Sequence, residues 1–288
     1  MKIIILGASS NLAQYLTNAL LNKRHEIFLI YRNTYQVISS SNHNNNVVDY
    51  ENINNLYHLF ENVDICINTL GSYGRLNEDF TELKYVNYEL PYKYYKICND
   101  FKVSYFLNCG TALPPEYNEY SLSKSFIYEK MKSTTFGLFT KFVELKLQHF
   151  YGNNDNETTF IKKTIKQCLQ NTESIHIKTP NESREFLHIS DLIKAIVVII
   201  NNCNDFQYII NSIDIGSKHR YRIIDVCNYI KYYTDTKTTF EYTLGDIRKS
   251  PQIPHSILDN LYKYGWEENM PLEDGIQNLV SYMSGESK

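Results

Sequence analysis

The first thirteen residues constrain the fold of this 288-residue chain more than any other stretch. Residues 2–6 read Lys-Ile-Ile-Ile-Leu, an apolar run of strand length that stops at Gly7, and helical periodicity starts at Asn11. A buried strand that turns through Gly7, Ala8, Ser9 and Ser10 into a helix is the opening of a βαβ unit. Small residues in such a turn let the backbone approach a pyrophosphate, and the N–H groups at the start of the helix favour an anion there. Of the positions where a strict turn would carry glycine, only Gly7 does; Ser10 and Ala13 fill the others. A plain strand–turn–helix therefore remains the alternative from this segment alone.

The same rhythm continues. Strands are predicted at 26–31, 47–48, 63–68 and 103–108, with a further strand inside 136–147. Helices are predicted at 11–22, 53–60, 79–99 and 120–132, and the polar run 39–46 reads as a loop. Strands alternating with helices indicate a parallel sheet of α/β class. Beyond residue 150 the pattern is less regular: a helix at 160–170, strands at 174–177 and 185–189, a helix at 191–202, a strand at 207–213 and a helix at 221–233. The tail, 237–288, reads as a strand, proline-containing loops and two short helices. The expected organisation is a nucleotide-binding domain over 1–150, rejoined by about 186–214, and a smaller interleaved lobe from 151–185 and 215–288.

Composition excludes several classes. A formal charge of −3 offers no polybasic surface for nucleic acid or an anionic membrane. The six cysteines are scattered, with no Cys-x-x-Cys and no Cys/His cluster, so neither a disulfide framework nor a metal site is expected. Reduced thiols point to the cytoplasm. No apolar run reaches the length of a membrane span, and the N-terminal run is too short for a signal sequence.

Tyrosine and lysine four residues apart share one helix face. A lysine ammonium beside a phenol favours phenolate, bringing a group with pKa near ~10 towards use at neutral pH. Four such pairs occur among the 25 tyrosines: Tyr92/Lys96, Tyr120/Lys124, Tyr128/Lys132 and Tyr233/Lys237. Only Tyr120 and Lys124 follow a strand-end threonine, Thr111, after five βα-type strands. At the end of the second strand stands Tyr31-Arg32-Asn33, without an acid. An acid there would bind a ribose 2′-hydroxyl, whereas an arginine suits a 2′-phosphate, so NADP is preferred. The alternative for Arg32 is a solvated charge. Asp49, after the third strand, reads equally as an adenine partner or a loop residue.

Taken in order, these segments resemble the extended short-chain dehydrogenase/reductases, in their sugar-nucleotide epimerase/dehydratase branch. The matching segments are Gly7–Ala13, Asn68-Thr-Leu-Gly71, Asn108-Cys-Gly-Thr111, the Tyr120/Lys124 pair, Leu147-Gln-His-Phe-Tyr-Gly152, Arg184-Glu-Phe-Leu-His-Ile-Ser-Asp191, Ile213-Asp-Ile-Gly-Ser217 and Arg248. The arginine that usually leads the fifth of these is absent. The short interval from Thr111 to Tyr120 is most like the reductases that make CDP-abequose and CDP-paratose. The resemblance implies a Rossmann-type doubly wound parallel sheet with a smaller interleaved C-terminal substrate lobe. It implies Thr111, Tyr120 and Lys124 as catalytic residues. Cofactor residues would be Gly7, Ser9, Ser10, Asn11, Leu12, Arg32, Asp49, Thr69, Leu70, Gly71 and Asn87, with Tyr120 and Lys124. Substrate residues would be Tyr73, Thr111, Asn153, Phe160, Arg184 and Arg248. For Arg184 and Arg248 an ordinary surface role is the alternative, and for Tyr73 simple packing. A homodimer through the helices at 79–99 and 120–132 is a further implication.

The neighbours narrow the chemistry. Sugar dehydratases of this branch carry an Asp-Glu pair directly after the catalytic threonine; here Ala112 and Leu113 follow. The Cys/His relay of epimerase-reductases is also missing, and Cys109, His149 and His188 read as core residues. What remains is reduction of the C4 keto group of a nucleotide-activated 6-deoxysugar by NADPH. The competing readings are an NAD-retaining 4-epimerase and a catalytically silent NADP-binding protein.

Overall fold

The structure, a computed structural model, describes residues 1–285 except 22, 24, 32–33, 40–41, 48–52, 76, 135 and 244–250. The chain divides into two compact units, Met1–Leu147 with Ile196–Asp214, and Gln148–Ala195 with Ile215–Lys288.

In the first unit, β1 (Lys2–Leu6), α1 (Asn11–Leu21) and β2 (Glu26–Ile30) form the predicted βαβ opening. Then come β3 (Thr34–Ser39), β4 (Asn42–Val47), a 3₁₀ helix (Ile53–Phe60) and β5 (Ile65–Asn68). The helices α2 (Phe80–Lys84) and α3 (Leu90–Asp100) are joined by a π-helical turn (Tyr85–Glu89), and are followed by β6 (Tyr105–Cys109), α4 (Glu119–Ser133) and β7 (Lys141–Leu147). With β12 (Ile210–Ile215) these strands make one sheet in the order β12-β7-β6-β5-β1-β2-β3-β4. From β7 to β2 every pairing is parallel. The strand order reverses between β1 and β5. In an open α/β sheet, the crevice outside the carboxyl ends at such a point is where ligands bind.

Both sheet faces are covered, which explains the near-continuous apolar strands. Ile4, Leu6, Phe28, Ile30, Cys66, Phe106 and Phe142 point to one face, where they join Tyr94, Tyr95, Ile127 and Met131 from the helices in a single cluster. The alternate residues Ile3, Ile5, Ile27, Leu29, Ile65, Ile67, Leu107 and Val143 are buried as well. Side chains alternate across a strand, so the second set serves the opposite face.

Two expectations need correction. The run 39–46, expected as a loop, lies largely in a hairpin: β3 pairs antiparallel with β2, and β4 antiparallel with β3. The third strand is thus Thr34–Ser39, not the pair at 47–48. Second, the long helix expected over 79–99 is interrupted by the π turn, which projects Asn87 into the interior. The sequence has no signal for either, because both depend on neighbouring backbone.

The second unit contains β8 (His149–Tyr151), α5 (Phe160–Leu169), β9 (Ser174–Ile177), β10 (Ser183–Arg184), β11 (Phe186–His188), β13 (Tyr221–Arg222), α7 (Ile223–Thr234), β14 (Thr239–Tyr242), α8 (Asp259–Lys263) and α9 (Leu272–Ser284). α6 (Ile189–Asn201) straddles the boundary in sequence. Of the two tail helices predicted to be short, α9 has 13 residues. The strands pair only in twos: β8 with β11, β9 with β14 and β10 with β13. The core comes instead from α5, α7 and α9, through Ile161, Ile165, Val226, Ile230, Ile276 and Leu279. Asp191, at the end of the Arg184–Asp191 segment, is buried and accepts hydrogen bonds from Asn269 N and Met270 N at 2.9 and 2.7 Å. That makes it a tie between segments.

No described helix is long and apolar enough to cross a membrane. The described residues hold no cluster of three potential metal ligands.

Candidate active site

At the carboxyl end of β1, Gly7 adopts φ +75°, a conformation that favours glycine, and a methyl group there would come within 2.9 Å of Leu70 N. Thr69 closes the turn from the β5 side. Its hydroxyl donates to Leu6 O at 2.7 Å and lies 3.0 Å from Ser10 Oγ. Ser10 caps α1 by accepting from Ala13 N at 3.1 Å. Ser9 is exposed at the turn, while Leu12 is buried by its side chain and presents only backbone. The turn is thus a cradle which a Cβ would fill, at the foot of a helix, and it fits a dinucleotide diphosphate.

The loop after β5 is tied to α4 by a buried amide. Asn87 Oδ1 accepts from Ser72 N at 2.9 Å, and Asn87 Nδ2 donates to Ser72 O and Ser123 Oγ, both at 2.9 Å. Lys124 is buried and donates to Leu70 O at 2.6 Å and Cys109 O at 3.0 Å. A Cβ on Gly71 would stand 3.4 Å from Lys124 Nζ, so the ammonium rests against that exposed glycine.

Tyr120 is half-buried in the first turn of α4, which is capped by Asn118 and Ser121 in a reciprocal pair of hydrogen bonds. Tyr73 stacks on Tyr120 with ring centroids 4.6 Å apart, and the Arg75 guanidinium lies 4.6 Å from the centre of the Tyr73 ring. The expectation that lysine lowers the tyrosine is not what the structure shows. Burial holds the Tyr120 phenol well above its ordinary value, Tyr73 adds to this by charge and by a hydrogen bond, and Arg75 pulls the other way. Lys124 is engaged by two carbonyls instead, and burial pushes it below the usual lysine range. Tyr120 therefore holds its proton at neutral pH. Thr111, half-buried after β6, accepts from Leu113 N at 3.2 Å through its hydroxyl oxygen, which leaves the hydroxyl proton to point elsewhere.

The first unit therefore gathers Gly7, Ser10, Thr69, Leu70, Gly71, Asn87 and Lys124 around the ends of β1, β5 and β6. Asn11 begins α1 beside them. Arg32 and Asp49 lie outside the described residues. In the second unit Asn153 is half-buried, and its carbonyl accepts from Lys162 Nζ at 3.0 Å. Phe160 packs against the helical core. Arg184 is buried and forms an ion pair with Glu182 at 2.6 Å. Arg248 lies outside the described residues. His149 and His188 are held below the usual histidine range, chiefly by burial, His149 at about 4. Cys109 is buried and its thiol is pushed up to about 12 by burial.

Sequence reasoning missed Arg75, which braces Tyr73. It also gave no role to Asn108, quoted only within a matching segment, or to Glu144 in the middle of β7, whose only signal is an acid in a largely apolar strand.

Residues 3–212 match the NAD dependent epimerase/dehydratase family. The chain belongs to that family. The resemblance to the extended short-chain dehydrogenase/reductases holds. CDP-abequose synthase of Salmonella muenchen is 21% identical over 292 residues, covering 97% of each chain. GDP-L-colitose synthase of Yersinia pseudotuberculosis is 28% identical over 145 residues, covering 49% of this chain and 45% of its own. Among solved structures, UDP-glucuronic acid 4-epimerase of Bacillus cereus, in complex with UDP-glucuronic acid and NAD, superposes with a TM-score of 0.78 at 17% identity, covering all of both chains. The Rossmann-type sheet is the shared architecture.

Proposed function

We propose that the protein reduces the C4 keto group of a nucleotide-activated 6-deoxysugar with NADPH, in the making of an unusual deoxysugar for a surface polysaccharide. The observation that carries this reading is the full-length likeness to CDP-abequose synthase, which spans the substrate-side unit as well as the sheet. The site is consistent with it. Tyr120 keeps its proton, the state a donor needs, and Ala112 and Leu113 bring no acid or base beside Thr111.

The residues of the turn, with Thr69, Leu70, Gly71 and Asn87, would hold the cofactor, and Arg32 its 2′-phosphate. When bound, the nicotinamide supplies the hydride that reduces C4. Tyr120 Oη donates its proton to the oxygen that becomes the C4 hydroxyl, so hydride and proton together complete the alcohol. The Thr111 hydroxyl donates to the same oxygen as charge develops on it. Lys124, clamped by two carbonyls, would hold the cofactor ribose. Arg184 and Arg248 would take the substrate diphosphate, because guanidinium forks match phosphate oxygens. A homodimer working in the cytoplasm completes the reading.

The test is consumption of NADPH with a panel of CDP-, GDP-, dTDP- and UDP-4-keto-6-deoxysugars, followed by nicotinamide absorbance. Turnover is expected with at least one of them, and none with any would sink the reductase. The likeness to 4-epimerases favours a second reading, in which NAD stays bound and C4 is oxidised and re-reduced. Purified protein that carries stoichiometric NAD and interconverts C4 epimers would establish it. For the cofactor, Arg32→Glu should weaken NADPH by tenfold or more, with NADH little changed. Titration of both by fluorescence decides, and an unchanged ratio removes Arg32 as the selector.

A further inference from the structure

One rung of the sheet is polar across β5, β6 and β7. Asn68 is in register with Asn108, and Asn108 with Glu144. All three share the parity of Cys66, Phe106 and Phe142, hence the sheet face that carries α4. On β1 and β2 the same rung is Leu6 and Ile30. The polar half is continuously bonded. Asn108 Nδ2 donates to Glu144 Oε2 at 2.6 Å, Asn68 Nδ2 donates to Asn108 Oδ1 at 2.6 Å, and Leu70 N donates to Asn68 Oδ1 at 3.1 Å. The carbonyl of that same Leu70 accepts from Lys124 Nζ. Hydrogen bonds therefore run from the buried carboxyl group to the Leu70 N–H, and the next peptide group, through its carbonyl, holds the buried lysine.

Gly110 shows that the carboxyl group is built in. A Cβ at 110 would stand 1.7 Å from Glu144 Oε1. Gly110 is not among the residues of positive φ, so its backbone does not demand glycine. What demands it is the room that Glu144 occupies, directly before Thr111. Glu144 and Lys124 are each only 4% exposed. Opposite charges so far from water act on each other strongly even when they do not touch.

We propose that Glu144 is a positioning residue for the cofactor site, the buried counter-charge that keeps Lys124 cationic and seated between the Leu70 and Cys109 carbonyls. The inference rests on the reading of Lys124 as a residue that holds the cofactor ribose. The groups that face Glu144 are Asn108 and Cys109 from β6, Lys124 from α4 and Lys146 from its own strand. Burial raises Glu144 to about 7, while Asn108, Lys124 and Lys146 pull it down. Burial lowers Lys124, and Cys109 and Glu144 raise it. Once Glu144 is ionised, Lys124 keeps its proton further into the alkaline range than burial alone would allow.

Glu144→Gln removes the charge but keeps an acceptor for Asn108 Nδ2, and Glu144→Asp keeps the charge on a shorter stem. NADPH affinity is read by fluorescence from pH 6 to 10.5. In parallel, the lysine ε-carbons of the cofactor-free protein are titrated by NMR, with Lys124→Met identifying the signal. For Glu144→Gln, both the alkaline loss of NADPH affinity and the Lys124 titration should move down by about one pH unit or more. Glu144→Asp should restore most of that shift. Superimposable curves for wild type and Glu144→Gln would overturn the inference, as would a Glu144→Asp protein that behaves like Glu144→Gln. Wild-type protein that binds no NADPH or NADH would defeat the cofactor reading instead, and the NMR titration would still decide whether Glu144 sets the charge of Lys124.

Discussion

A phenol can donate a proton only while it holds one, and burial together with Tyr73 secures this for Tyr120. Tyr120 stands in the first turn of α4, and Lys124, one turn on, is buried. Tyr120→Phe keeps the ring that Tyr73 stacks on and removes the hydroxyl group that carries the proton. Turnover should fall by about 10²–10⁴-fold, with dinucleotide affinity within twofold of wild type. Initial rates and fluorescence titration check this, and retained turnover would mean that another group supplies the proton. Tyr120, Lys124 and Thr111 could be nominated from the sequence because two residues four apart share a helix face and follow a strand-end threonine, and the structure does place the pair on α4, after β6. Glu144 could not be, because a single acid in an apolar strand is indistinguishable from an exposed edge residue until the register places it against Gly110.

Among the elements, α4 carries both Tyr120 and Lys124, so its start fixes their phase. Asn118 Oδ1 accepts from Ser121 N at 2.8 Å, and Ser121 Oγ accepts from Asn118 N at 3.1 Å. Asn118→Ala removes the first bond and should cost about 1 kcal/mol. The expected signature is a lower melting temperature accompanied by a drop in kcat larger than any change in KM. A kcat as high as wild type's would show that the cap does not set the phase of Tyr120. The βαβ elements of the sheet were readable because fully buried parallel strands are apolar throughout. The β3–β4 hairpin was not, because β4, Asn42–Val47, is all asparagine and histidine apart from its last residue and has no apolar alternation to reveal a strand. The π turn that seats Asn87 was hidden for a related reason: one extra residue in a helix leaves no mark on composition.

Over the whole molecule, two titratable groups shifted by burial, one in each unit, contribute opposite responses to pH. In the first unit, Glu144 is raised from 4.5 to about 7 by burial. Between those values the folded chain binds more protons there than the unfolded chain, so this contribution is complete below 4.5 and is lost as pH rises through about 7. In the second unit, His149 is lowered from 6.5 to about 4, by burial first and then by Arg184 and Arg220. Its buried Nδ1 has no hydrogen-bond partner. There the folded chain binds fewer protons, so the contribution is complete above 6.5 and is lost as pH falls through about 4. Either effect amounts to about 3 kcal/mol at most. Melting curves from pH 4.5 to 8 should separate them. Glu144→Gln should gain on wild type as pH rises, with most of the gain between pH 5 and 7.5. His149→Gln should gain on wild type as pH falls below 6.5. The double variant should show the flattest profile of the four proteins. Curves that run parallel to wild type for either single substitution would show that the group in question keeps its unfolded-state acidity in the folded protein.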